Sequence, residues 1–305
     1  MSAATRAHIL ETGRSLDYTP NRLAAMLAGR GGDTIGIFLQ DLHNDLFADV
    51  YDGIRAIADA DGKHLVLAVG TLDGSGDLPA LDTLEQSRVD VIIAAGLQLD
   101  DEEARRIAAR IPLVSVARSI TGIDSVTSND HEGAVIATKY LIELGHRSIV
   151  FLSNPQTDGY RDRLRGYGDA MRWSALAPRV VGTTYSRGRA ALDAGTVLDS
   201  AAPPSAFYAH NDQAALGVLD ALAMRGLVPG RDVSVVGHDN SSISRAPGTA
   251  LTTMDIHGAS LGRTAAIMAG QRLNEPGAAL LAHTSEPSLV IRSTTGINPG
   301  AISGI

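Results

Sequence analysis

Cysteine is absent from the 305 residues, and aromatic residues make up only 4% of them. Without cysteine the chain can form neither a disulfide nor a thiolate metal site. No apolar run approaches the roughly 18 residues of a membrane-spanning helix, and the opening MSAATRAHIL lacks the apolar core of a signal peptide. We therefore expect a cytoplasmic protein that does not contact a membrane.

Sequence motifs of several enzyme classes are also absent. There is no G-x-x-x-x-G-K-[ST] phosphate loop, no H-E-x-x-H metalloprotease helix and no G-x-S-x-G nucleophile turn. Four of the nine histidines follow strand-like runs, but no two have the spacing of metal ligands on a helix or hairpin. These four are His43, His131, His210 and His238. We expect no catalysis, no metal and no cofactor, and we assign these histidines structural or ligand-contacting roles.

The net charge of −8 argues against a broadly basic nucleic-acid surface, but the charge is unevenly distributed. Residues 1–30 contain four arginines against Glu11 and Asp17, a net charge of +2, so the remainder carries −10. A weakly basic arm therefore precedes an acidic body.

From Thr34 onward, apolar runs alternate with amphipathic helical patterns. TIGIFLQ is typical of a buried strand, KHLVLAVG and VDVIIAAG are further strand-like apolar runs, and ADVYDGIRAIADADG places its apolar residues on one helical face. The alternation begins again after SIVFLSN, which gives two sets of about five or six strands each. The pattern predicts an α/β fold with two doubly wound parallel-sheet lobes. No low-complexity linker separates the sets, so we expect the chain to cross between the lobes several times.

Polar residues follow most of the strand-like runs, at the position where doubly wound sheets bind ligands. Amides, carboxylates and an arginine fork can exchange hydrogen bonds with hydroxyl groups, and an aromatic face can cover a ring. This set of side chains suits a small polyhydroxylated ligand. The candidate ligand-binding residues are Asp45, Phe47, Arg118, Arg163, Tyr185, Asn211 and Asp239.

Three acidic or basic residues have a second interpretation. Asp212, directly before the helical QAALGVL, is as suited to capping that helix as to binding a ligand. Arg163 could equally pair with an acid at the surface. Asp239 ends a strand before the loop SSISRAPG, which favours a role in binding.

Seven segments, in order, resemble the family of the lac and purine repressors (the LacI/GalR family), bacterial transcription regulators whose core is similar to periplasmic sugar-binding proteins. They are ATRAHILETGRSLDYTPNRLAAMLAGR, TIGIFLQDLHNDLF, ELGHRSIVFLSN, RLRGY, SAFYAHNDQAALGVLDAL, DVSVVGHDN and LTTMDI. The resemblance runs from about residue 3 to about residue 295. It implies a homodimer that binds a small-molecule effector between its lobes and operator DNA through its arm.

The resemblance also implies a role for the arm. ATRAHILETGRSLDYTPN would be the last helix of a DNA-binding headpiece, and NRLAAMLAGR would be a hinge helix that enters the minor groove. Leu27 matches the family's wedge residue, and the expected DNA contacts are Asn21, Arg22, Leu27 and Arg30. The helix-turn-helix that should come first is not found before Thr34. Three explanations are open: the chain is truncated, its start codon is placed too late, or the protein has truly lost the helix-turn-helix. In each case we expect this chain alone to read DNA sequence poorly.

The ligand contacts of the family carry over in part. Arg163, Asn211 and Asp239 stand where the family places effector-contacting residues. Ala117 replaces a usual acidic residue, and Ile256 replaces a frequent polar contact. Both changes remove polarity, so we expect a sugar, sugar alcohol or similar compound other than the typical hexose.

The domain organisation implied by the family has three parts. Residues 1–32 would form the partial headpiece and hinge helix, 33–153 with 257–285 the first lobe, and 154–256 with 286–305 the second. Closure about a hinge near Ser153, Ile256 and Glu286 would couple ligand binding to operator binding. The main alternative is a solute-binding protein without a DNA role, against which the basic arm argues.

Overall fold

The computed structural model describes residues 2–16, 34–154, 159–184, 186–298 and 300. The first helix, α1, spans Ala3–Ser15 and so begins one residue before the predicted headpiece helix, residues 4–21. The predicted hinge helix and its candidate DNA contacts lie outside the described residues; these contacts are Asn21, Arg22, Leu27 and Arg30. Within the described ranges, no helix is both long and apolar enough to cross a membrane.

Six strands form the sheet of the first lobe. They are β1 (Thr34–Leu39), β2 (His64–Val69), β3 (Val91–Ala95), β4 (Leu113–Val116), β5 (Asp124–Ser128) and β11 (Ala282–Ser285). Their order is β11-β5-β4-β3-β1-β2, and all neighbours are parallel. The helices of this lobe are α2 (Asp45–Ala60), α3 (Asp77–Gln86), α4 (Asp101–Ala108) and α9 (Gly258–Asn274).

The second lobe repeats this layout. Its strands are β6 (Ile149–Ser153), β7 (Arg179–Gly182), β8 (Ala206–Ala209), β9 (Ser234–Asp239), β10 (Thr252–Asp255) and β12 (Ser288–Val290). The order is β12-β10-β9-β8-β6-β7, and only the β10–β12 pair is antiparallel. The helices are α5 (Asp130–Glu143), α6 (Tyr160–Trp173), α7 (Arg187–Leu198) and α8 (Asp212–Ala223), with a short 3₁₀ helix at Ser242–Arg245. The predicted fold class, with two mostly parallel α/β sheets, is confirmed.

The central strands of each sheet are buried on both faces because helices cover both. In β1, Ile37 and Leu39 pack into a core with α2 and α9, whereas Phe38 lies in the opposite core with α3 and α4. Such strands are continuous hydrophobic runs, which explains the pattern of TIGIFL. Polar side chains are therefore expected mainly at the ends of these strands.

The chain passes between the two sheets after β5, after β10 and after β11. Helix α5 packs against α6 and β12, and β6 joins the second sheet. The first crossing therefore lies near Asn129 and not at the predicted boundary, residue 153. This corrects the predicted first lobe, which included two elements that belong with the second.

Candidate functional site

A small cleft, part of it open to solvent, lies between the two lobes. The first lobe contributes Gln40, Asn44, Leu46, Phe47, Gly96 and Ala117, and the second contributes Arg163, His210, Asn211 and Asp239. Most of these residues end a strand or follow one within a few positions. The pocket therefore lies outside the carboxyl ends of the strands, where doubly wound sheets bind ligands.

Local backbone structure positions the side chains of the first lobe. Asn44 caps α2, and its Oδ1 accepts a hydrogen bond from the Leu46 N–H at 3.2 Å. Gly96 has a φ of 75°, and a Cβ at this position would lie 2.8 Å from Phe47 Cζ and 2.9 Å from Gln40 Cβ. Only glycine therefore leaves room for Gln40 and Phe47 to line the pocket.

Arg163 is a buried cation on the second-lobe side of the pocket, with 6% of its surface exposed. Its Nε donates to Asp130 Oδ1 at 2.9 Å, and its Nη1 donates to the His210 carbonyl oxygen at 2.6 Å. Its Nη2 lies 4.0 Å from Asp239 Oδ1. Burial alone would lower the pKa of Arg163, but Asp130 and Asp239 outweigh this effect and raise it. The guanidinium is charged and is held by its own lobe.

Two carboxyl groups, those of Asp212 and Asp239, are buried in the second lobe. Asp212 accepts hydrogen bonds from the Ser241 N–H at 2.8 Å and from Thr253 Oγ1 at 2.5 Å. Burial nevertheless raises the pKa of Asp212 to about 6. Burial also raises the pKa of Asp239 well above its usual range; Arg163 opposes this shift and Asp212 adds to it.

His238 and Asp130 lie beside Arg163 in the second lobe. Nδ1 of His238 is 2.9 Å from the Tyr208 hydroxyl, and its Nε2 is 3.3 Å from Asp130 Oδ1. Burial, with a contribution from Arg163, lowers the pKa of His238 to about 4, so this histidine is neutral near pH 7. Burial would raise the pKa of Asp130, but Arg163 and His238 lower it below its usual range. Asp130 is therefore the ionised partner of Arg163.

Three buried polar atoms of the pocket residues have no hydrogen-bond partner in the part of the chain that the structure describes. They are Gln40 Nε2, Asn211 Nδ2 and Asp239 Oδ1. Buried polar groups in native proteins are normally paired, because an unpaired one costs free energy. Two donors and one acceptor are thus available to a ligand.

The pocket brings together four of the seven predicted ligand-binding residues: Phe47, Arg163, Asn211 and Asp239. Asp45 is the first residue of α2 and does not line the pocket. Arg118 also points elsewhere: its Nη1 donates to the Leu97 carbonyl oxygen at 3.0 Å, and its Nη2 donates to Asp101 Oδ1 at 2.6 Å. Tyr185 lies outside the described residues.

The structure shows the contacts that bear on the two interpretations of Asp212 and of Arg163. Asn211, and not Asp212, caps α8, since its Oδ1 accepts from the Ala214 N–H at 2.9 Å. Asp212 neither caps the helix nor lines the pocket; it ties the segment after β9 to β10. Arg163 does pair with an acid, but the partner is buried and not at the surface.

Sequence reasoning missed Gln40, Asn44 and Asp130. Gln40 was counted as the last residue of the apolar run TIGIFLQ, although a polar residue closing such a run is itself a signal. Asn44 directly precedes an amphipathic helix, which is the usual position of a cap. Asp130 is in the first turn of α5, and nothing in the sequence connects it with Arg163.

Acidic and histidine side chains do not gather into a metal-binding group: among the described residues, no three of His, Cys, Asp or Glu are so arranged. The side chains at the pocket are suited to hydrogen bonding.

Comparison with known proteins identifies the class of this chain. The model of a family described as a periplasmic binding protein-like domain matches residues 138–295, and the chain belongs to that family. Its relatives are bacterial transcription regulators, which confirms the resemblance to the lac and purine repressors (the LacI/GalR family).

Three relatives illustrate the similarity. The ribose operon repressor of Haemophilus influenzae is 28% identical over 304 residues, covering 96% of this chain and 90% of that protein. The lac repressor dimer bound to operator and the anti-inducer ONPF has a TM-score of 0.84 at 27% identity, covering 97% of this chain and 91% of that chain. A periplasmic binding protein/LacI regulator from Alkaliphilus metalliredigens, complexed with D-xylulofuranose, has a TM-score of 0.78 at 25% identity, covering 87% and 99% respectively.

Proposed function

We propose that this protein is an effector-responsive transcription regulator, acting as a repressor, whose interlobe pocket binds a small sugar-like molecule. The observation that carries the proposal is that both lobes turn free polar atoms towards one pocket: Gln40 from the first lobe, and Asn211 and Asp239 from the second. Sugar hydroxyl groups can both donate to and accept from such atoms.

The relatives support a sugar-like ligand. One is named for the ribose operon, and another was solved with D-xylulofuranose. We assign ligand contacts to Phe47, Arg163, Asn211 and Asp239, and we keep Tyr185 as a predicted contact. Because the relatives named above are regulators, we propose a binding role without a catalytic step.

The DNA-binding part of the proposal concerns the arm. The lac repressor neighbour was solved as a dimer bound to operator, which supports a homodimer on operator DNA here. Asn21, Arg22, Leu27 and Arg30 remain predicted contacts to that DNA, and a cytoplasmic location also stays a prediction from the sequence.

Coupling between the two ligands follows from the geometry of the pocket. A molecule held by both lobes binds the closed arrangement of the lobes more tightly than the open one. The difference between these two affinities sets how far the molecule shifts the protein towards the closed arrangement. If operator DNA prefers one of the two arrangements, each ligand changes the affinity of the other by the same factor, with typical couplings of roughly 1–3 kcal/mol.

Thermal unfolding in the presence of sugars, sugar alcohols and nucleosides tests the effector assignment. A ligand at about 100 times its Kd stabilises the folded protein by about 2.7 kcal/mol, which raises the unfolding temperature measurably. We expect a sugar or sugar alcohol to do so. Stabilisation by nucleosides only would contradict the proposal.

A pair of variants ties the stabilisation to the pocket. Asp239→Ala removes the buried acceptor and should abolish the shift caused by the sugar. Asp82→Ala, on the exposed face of α3, should leave the shift unchanged. An undiminished shift in Asp239→Ala would place the ligand elsewhere.

A further inference from the structure

The free polar atoms of the pocket define what a ligand must offer. Gln40 Nε2 and Asn211 Nδ2 are donors from opposite lobes, and Asp239 Oδ1 is an acceptor when ionised. A ligand that satisfies all three must present two acceptors and one donor. Hydroxyl groups can play both parts, whereas a carboxylate or phosphate group supplies acceptors only.

Around the pocket, one cation lies among several buried carboxyl groups. Arg163 is the one cation that lines the pocket among the described residues, and it is bound by Asp130 at 2.9 Å and faced by Asp239 at 4.0 Å. Asp212 adds a third buried carboxyl group to this cluster, while His238 is neutral near pH 7 because burial lowers its pKa to about 4. An anion entering the pocket would therefore find the single cation already paired with the Asp130 carboxylate, and it would lie beside two further acidic groups.

Gln40 is held firmly as the donor of the first lobe. Only 1% of its surface is exposed, and its backbone N–H donates to the Ala95 carbonyl oxygen at 3.0 Å. On the other side, Gly96 brings the chain so close that a Cβ there would lie 3.0 Å from Gln40 Oε1. The amide is thus fixed before a ligand arrives, which limits the entropy lost on binding.

We propose that the pocket selects an uncharged sugar or polyol, with Gln40 as the specificity-determining residue of the first lobe, and that it rejects analogues bearing a carboxylate or a phosphate. This inference rests on the proposed function and narrows its ligand. It assigns a binding role to a residue that sequence reasoning missed.

Matched ligand pairs test the charge selectivity. Titration calorimetry would compare D-ribose, D-xylose and D-glucose with D-ribose 5-phosphate, D-xylonate, D-gluconate and D-glucose 6-phosphate. We expect at least one neutral member to bind, and its anionic counterpart to bind at least about tenfold more weakly. Equal or tighter binding of an anionic member would overturn this inference while leaving the regulator proposal intact. Binding of no member would count against the sugar assignment itself, and the inference would fall with it.

Variants of Gln40 test its role separately. Gln40→Met keeps the length of the side chain without its amide, and Gln40→Glu replaces the donor with a carboxylate. Each should weaken binding of the neutral sugar by about tenfold or more. Gln271→Glu makes the same change of charge on the exposed surface of α9 and should have no effect. If Gln40→Met unfolds at the wild-type temperature and binds within about twofold of wild type, Gln40 is not a specificity residue.

Discussion

Asp239 and Ala117 face the pocket from opposite lobes, and both have a positive φ, 114° for Asp239 and 72° for Ala117. Residues other than glycine rarely adopt such angles, and each instance costs about 1–3 kcal/mol. Strain of this kind concentrates at ligand sites, where the surrounding structure can hold it in place. Here it aims the Asp239 carboxyl group into the cleft at the end of a buried strand.

The pH dependence of the unfolding free energy should reveal the raised pKa of the buried Asp212 carboxyl group. Burial raises its pKa to about 6 in the folded protein, from an ordinary value of 3.8. The folded state therefore binds this proton more tightly than the unfolded state does. The resulting stabilisation is fully present below about pH 3.8 and is lost as the pH rises to about 6.

We therefore expect wild type to lose stability relative to Asp212→Asn between about pH 4 and pH 6. Urea denaturation of both proteins across this range would measure the difference in unfolding free energy. Using the difference removes the contributions of groups that do not interact with Asp212, whereas Asp239, whose pKa Asp212 helps to raise, contributes to it. A difference that stays constant or grows in favour of wild type as the pH rises would show that Asp212 ionises normally.

Helices α2 and α9 pack so closely that their backbones touch. A Cβ at Gly53 would lie 2.1 Å from the Ala259 carbonyl oxygen, and a Cβ at Gly262 would lie 2.0 Å from the Val50 carbonyl oxygen. Such a contact is possible only where both helices present small residues. Because α2 also carries Phe47 into the pocket, this packing fixes one wall of the site.

Two glycine substitutions on α9 should have opposite effects on stability. Gly262→Ala forces the helices apart, and overpacking costs typically about 1–3 kcal/mol, more than the roughly 0.5–1 kcal/mol that alanine gains in a helix. Gly270→Ala, with nothing within 4 Å of the new Cβ, should stabilise the protein by about 0.5–1 kcal/mol. Urea denaturation measures both changes. A stabilised Gly262→Ala protein would show that the helices can separate at little cost.

Local patterns in the sequence predict elements but not their partners. SIVFLSN is an apolar run typical of a strand, yet its sheet is decided by pairing with β7 and β8, which follow it in the sequence. Arg118 follows β4 by two residues, and Arg163 lies in the first turn of the helix that comes after β6. Arg118 is bound by the carbonyl oxygen of Leu97 and by Asp101, whereas Arg163 lies beside the pocket because Asp130 and Asp239 hold it there.

The sequence can point to a site residue where a polar side chain stands at the end of a strand or just after it. Asn211 and Asp239 do so and line the pocket, whereas Arg118 does so and does not line it. Asp130 and Gly96 contribute through contacts with residues distant in sequence, to Arg163 and Gln40. No local pattern encodes such contacts, so only the folded structure reveals them.

At the scale of the whole molecule, the two lobes meet at an ion pair outside the pocket. Arg245, in the 3₁₀ helix after β9, lies with its Nη2 at 3.0 and 3.1 Å from the two carboxylate oxygens of Asp49 on α2. The two residues belong to different lobes, so opening the cleft at this edge would break the pair. The contact favours the arrangement in which the pocket is enclosed.

Asp49→Asn should make the closed arrangement rarer and so weaken the apparent affinity for the effector. Arg245 is half-exposed, and ion pairs of this kind contribute roughly 0.2–1 kcal/mol, which corresponds to about 1.5- to 5-fold in Kd. Titration calorimetry with the sugar that most stabilises the protein would measure the change. Small-angle X-ray scattering of the ligand-free variant should show a larger radius of gyration than that of wild type.

A second ion pair, which lies within one lobe, serves as a control that distinguishes an effect on lobe closure from a general effect of surface charge. Arg187 Nε lies 2.6 Å from Asp220 Oδ2 with similar exposure, but both residues belong to the second lobe. Asp220→Asn should therefore leave both the affinity and the radius of gyration unchanged. Added salt should reduce the difference between wild type and Asp49→Asn, because it screens a half-exposed pair. If the two variants behaved alike, the contact between Asp49 and Arg245 would have no part in holding the lobes together.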